Sequence, residues 1–110
     1  MKWLDEFILA AEELEWQVIE EEDRAEFGKF SPAGQDFWME VTATSPENLL
    51  ETMRSYINNY DISGNAYIWL DDTGHGKNGA PYDMKDVYED AEACLNMVKE
   101  LYSKLCQIEL

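Results

Sequence analysis

Basic residues are scarce in this chain. Eight Lys and Arg stand against 24 Asp and Glu over 110 residues, a formal net charge of −16 at pH 7. No stretch gathers Lys or Arg into a footprint that would displace counterions from phosphates, which argues against direct binding to DNA or RNA. An anionic membrane surface would repel the chain for the same reason. Cysteine occurs only twice, as Cys94 and Cys106, both within what reads as the last helix. They stand twelve positions apart, about 18 Å of helix and too far for a disulfide, so free thiols and a cytoplasmic setting are expected. Three Pro and six Gly leave little material for a linker, and no repeat or low-complexity tract is present. No apolar run approaches the ~20 residues of a membrane span. The start, Met1 to Glu12, is interrupted by Asp5 and Glu6 and does not read as a signal peptide.

What is abundant is apolar and acidic. With 45% hydrophobic and 13% aromatic residues, the chain can build one core without staples, and 1–110 reads as a single acidic domain. Leu4, Phe7, Ile8, Ala11 and Leu14 recur at helical spacing over 3–14. Trp16 to Glu20 and Glu26 to Phe30 read as strands. Ser31-Pro32-Ala33-Gly34 is a turn, and Gln35 to Thr44 alternates as a strand with Phe37, Met39, Val41 and Ala43 on one face. Ser45-Pro46-Glu47 starts a helix predicted to reach about Asn59. Asn65 to Leu70 then alternates as a further strand, 71–81 is a polar loop, and Asp83 with Asp86 forms a capping box for a long final helix. The expected fold is α+β, in the order αβββαβα, with a small, mostly antiparallel sheet of three to four strands packed on about three helices.

Several patterns invite a chemical reading. Gly74-His75-Gly76-Lys77-Asn78-Gly79 matches G-x-G-x-x-G, but Ala80-Pro81-Tyr82 separates it from the helix and Asp71 and Asp72 would repel a phosphate. Taken as a calcium hand starting at Asp71, the loop fits at Gly76 and fails at the twelfth position, where Tyr82 replaces the bidentate Glu. His75 is the only histidine and sits between two glycines, a poor place to hold a base in fixed geometry. Two distant cysteines and one histidine make an incomplete zinc site. Neither an enzyme nor a bound cofactor or metal is expected.

Two features suggest partner binding. Trp38, Tyr67 and Trp69, with Trp16 as a further candidate, would share the strand face opposite the helices and form an aromatic patch. The acids form two groups: Asp83, Asp86, Glu89, Asp90 and Glu92 along the final helix, and the run Glu20, Glu21, Glu22 and Asp23. Arrays of this kind can imitate the phosphate track of a duplex, although most charge runs are solvated faces.

Ser31-Pro32-Ala33-Gly34-Gln35-Asp36-Phe37, Tyr60-Asp61-Ile62, Trp69 and Gly79-Ala80-Pro81 before a helix carrying Asp90-Ala91 together resemble a group of short acidic proteins of bacterial mobile elements. That resemblance implies a setting of phages, plasmids and conjugative elements, where small acidic inhibitors of restriction or CRISPR nucleases occur. The expected function is a non-enzymatic protein engaging a basic protein surface, such as that of a nucleic-acid-binding enzyme, in the manner of a DNA mimic. The alternative is an interaction module using the aromatic face. A second copy of the chain is a further partner that the sequence allows.

Overall fold

Alternation and helical spacing sort the chain into seven elements, seen in a computed structural model that describes residues 2–77 and 80–109. They are α1 (Lys2–Glu13), β1 (Gln17–Glu20), β2 (Arg24–Phe30), β3 (Asp36–Thr42), α2 (Pro46–Asn59), α3 (Ile62–Ile68) and α4 (Met84–Cys106). The strands form one antiparallel sheet in the order β1-β2-β3.

Pairing register decides which side chains are buried. Ala25 faces Val41 and Phe27 faces Met39, which puts these four with Phe37 on one side of the sheet. Leu4, Phe7 and Ala11 of α1, Leu49 and Met53 of α2, and Cys94, Val98, Leu101 and Leu105 of α4 close over that side as the main core. Trp16 is buried in the same core, edge-on to Phe37 at 6.3 Å between ring centroids. The opposite face, with Ile19, Glu26, Trp38 and Glu40, is turned toward solvent, and at its β3 edge Thr42 Oγ1 lies 2.6 Å from Thr52 Oγ1 of α2.

Local chemistry sets the element ends. The Ser45 hydroxyl accepts the Asn48 amide at 3.0 Å and Pro46 opens α2, as the sequence predicts. Asp83 stands at the N-cap of α4, but its side chain makes no cap hydrogen bond, so the expected capping box does not form. At the other end of the chain, α1 stops with Glu15 at φ 70°, a left-handed position usually given to glycine. The Trp16 amide reaches back to the Ala11 carbonyl at 3.0 Å and closes that helix end.

One predicted element is overturned. Asn65 to Leu70 is not a strand: Ile62–Ile68 is helical, and the order among the described residues is αβββααα with three strands. Two periodicities coexist in this segment. Ala66, Ile68 and Leu70 alternate, whereas Ile62, Ala66 and Trp69 repeat at helical spacing. Helix prevails because Ala66 packs on Val87 and Ala91 of α4, joined by Ile62, Trp69, Leu70 and Tyr88 in a second, smaller cluster. The expected aromatic face is lost with the strand. Trp38 lies on the sheet, Tyr67 on α3 and Trp69 half-buried just after it, and Trp16 belongs to the core.

Candidate functional site

The first half of α4 is a ridge between two clefts, and its helical geometry explains both. Val87, Ala91 and Cys94 point into the protein. Met84 and Tyr88 lie to one side of that line, and Asp86, Glu89, Asp90 and Ala93 to the other.

On the acidic side, α4 faces the Ser31–Gly34 turn across a cleft of about 390 Å³ lined by Pro32, Ala33, Pro81, Asp86, Glu89 and Ala93. Asp83, Asp86, Glu89 and Glu92 are exposed. Lys85 lies 3.8 Å from Glu89 of this row, an exposed pair that neutralises little.

Asp90 departs from the expected strip. It is only 4% exposed, and its carboxylate accepts the Ser31 hydroxyl at 2.6 Å and the Ala33 amide at 3.1 Å. Forty degrees further round the helix than Asp86, it falls beside the apolar stripe, where a carboxylate is tolerated only with donors. It ties the turn to α4 and offers no charge to a partner.

The second acidic group sits elsewhere. Glu20 ends β1, and Glu21, Glu22 and Asp23 form the hairpin turn into β2. Arg24 bridges Glu21 at 2.9 Å and Glu40 at 3.2 Å, and these two carboxylates raise its pKa, Glu40 most. This turn and the Ser31–Gly34 turn lie at opposite ends of β2, a separation of roughly 20 Å for a seven-residue strand. The two acidic groups are therefore distinct surfaces.

On the other side of α4, a cleft of about 730 Å³ opens between α3, the loop after it and the helix start. Tyr67, Ile68 and Leu70 form one wall and Met84 and Tyr88 the other, with Asp71, Asp72 and Lys77 at the rim. Sequence reasoning missed this groove because it placed Tyr67 on a sheet. A helical reading of 62–69 would have left Tyr67 and Ile68 outside the Ile62–Ala66–Trp69 line, and so on the surface.

The glycine-rich loop is closed on itself. Asp71 Oδ1 accepts the Thr73 hydroxyl at 2.6 Å and the amides of Thr73 and His75 at 2.8 and 3.1 Å. These bonds, the Thr73 hydroxyl first, hold the Asp71 carboxyl below its usual pKa. The Gly74 amide bonds Asp71 O, Gly76 bonds Tyr82 O, and Lys77 bonds Trp69 O. All five amides from 73 to 77 are thus spent within the protein rather than pointing at a phosphate; Asn78 and Gly79 lie outside the described residues. His75 stacks on Tyr82 at 4.1 Å. Among the described residues no group of three or more His, Cys, Asp or Glu is placed to hold a metal ion, and no helix is long and apolar enough to cross a membrane.

No protein-family model matches the chain, and comparisons with curated proteins and with solved structures find no significant match.

Proposed function

We propose that this is a non-enzymatic binding protein that engages a basic protein surface through the exposed carboxylates at the start of α4, acting as a DNA mimic on a nucleic-acid enzyme such as a host nuclease. The observation that carries the reading is the row Asp83, Asp86, Glu89 and Glu92, exposed along the first turns of a 23-residue helix. From Asp86 these acids step at three-residue intervals, about 4.5 Å of rise each, on a rigid support. A partner's Lys and Arg can therefore meet charges at fixed spacing, which a flexible acidic tail does not provide. The net charge of −16 adds long-range attraction for a cationic groove and speeds encounter.

The test begins with an affinity pull-down from bacterial lysate at low and high salt, followed by two charge-matched variants. One is Asp83→Asn, Asp86→Asn and Glu89→Gln; the other is Glu20→Gln, Glu22→Gln and Asp23→Asn. Asp90 is left intact because it holds the fold. Mimicry predicts that the α4 variant loses on the order of 2–5 kcal/mol of binding to the captured basic protein while the hairpin variant changes mainly the on-rate. Equal and modest losses would mean that only net charge is read, and the mimic reading would fall.

A further inference from the structure

The cleft between α3 and α4 differs from the acidic side of the ridge. Tyr67 is 75% exposed and Ile68 63% exposed, and the half-exposed Met84 lies across the groove with its Cε against Gly74. Apolar side chains are seldom left grouped in a concavity without an occupant. The sheet's open face also exposes Ile19, Phe30 and Trp38, with Trp38 covering Gly28.

We infer that this groove receives the apolar face of a cationic amphipathic helix belonging to the partner protein. The inference rests on the basic-partner reading above and deepens it. Three observations select the occupant. The lining of Tyr67, Ile68, Leu70, Met84 and Tyr88 calls for apolar side chains. Among the lining residues Asp71 and Asp72 outnumber Lys77, which calls for Lys or Arg beside those side chains. Finally, the amides of 73–77 are internally bonded, so the loop offers no ladder to an extended peptide. A helix brings its backbone already satisfied and docks through side chains at i, i+3, i+4 and i+7. A second copy of this chain is disfavoured, since two molecules of net charge −16 would repel.

The test uses three synthetic peptides of equal charge: a Leu/Lys helix with Leu at i, i+3, i+4 and i+7, a scrambled version, and oligolysine. Binding to the full chain is followed by calorimetry and by backbone amide NMR shifts. The amphipathic helix is expected to bind about tenfold or more tightly than the scrambled peptide, the worth of burying roughly one Leu. Its shifts should centre on Tyr67, Ile68, Leu70 and Met84. Ile68→Ser and Met84→Ser, both at exposed positions and checked for folding by circular dichroism, should abolish that advantage while leaving oligolysine binding unchanged. Equal affinity for the helix and its scramble, or shifts centred elsewhere, overturns the groove inference alone. If none of the three binds even at low salt, the basic-partner reading fails as well.

Discussion

The Ser31 hydroxyl donates to the Asp90 carboxylate at 2.6 Å across 59 residues of sequence, joining the β2–β3 turn to α4. The same hydroxyl accepts the Gln35 amide at 2.8 Å, so one buried acid organises the whole turn. Asp90→Ala would leave the Ser31 hydroxyl and the Ala33 amide without their acceptor, and a loss of about 2–3 kcal/mol is expected. Asp90→Asn, which keeps an acceptor, should lose less. Urea denaturation of both variants checks this; unchanged midpoints would mean that the carboxylate is dispensable.

Gly28 faces Trp38 across the β2–β3 ladder, and a Cβ added at Gly28 would come within 2.4 Å of the indole. Trp38 is 37% exposed for that reason: its ring lies down over the glycine instead of standing out. Gly28→Ala should therefore cost about 1–3 kcal/mol, as overpacking does. In a Trp38→Ala background the same change should cost little, so a double-mutant cycle ought to show strong coupling.

Glu15 holds a left-handed conformation at the end of α1 with φ 70°. Glycine adopts that geometry without the Cβ penalty. Glu15→Gly is expected to raise stability by about 0.5–1 kcal/mol, read as a higher midpoint of chemical denaturation.

Burial pushes the Cys94 thiol up to about 12, with the nearby Asp90 carboxylate adding to the shift. Burial likewise pushes the Tyr56 phenol up to about 12, helped by Cys94, and raises Tyr60, whose hydroxyl donates to Ala91 O at 2.8 Å. Each of these groups loses its proton later in the folded chain than in the unfolded one. Their contribution to stability is whole below the unfolded values, about 8.5 for Cys and 10 for Tyr, and is lost as pH rises toward 12. Alkaline titration should therefore show late tyrosinate absorbance that coincides with unfolding. In the native protein at neutral pH a thiol reagent should modify the exposed Cys106 quickly and Cys94 only after denaturation.

Where one local pattern acted alone, the sequence was a sufficient guide. Phe37, Met39 and Val41 alternate because a single face of β3 is buried, and Ser45-Pro46 starts α2 through its own side-chain chemistry. Residues 62–70 carried two patterns at once, and only Val87 and Ala91, some twenty residues later, decide between them. Asp90 looked like one more surface acid because its donors lie on a distant turn. Of the expected site, the exposed carboxylates of α4 were legible from helical spacing. The shared aromatic face was not, since Tyr67 and Trp69 turned with the helix.

The helix α4 runs unbroken through both apolar clusters, its later turns clamped in the large one and its first turns holding the small one, where Ala66, Val87 and Ala91 alone are fully buried among the described residues. Mechanically it is a beam held at both ends, because Asp90 is tied to Ser31 and Ala33 and Tyr60 donates to the Ala91 carbonyl over the first turns. A load taken up at the groove is therefore carried along one continuous helix into the main core.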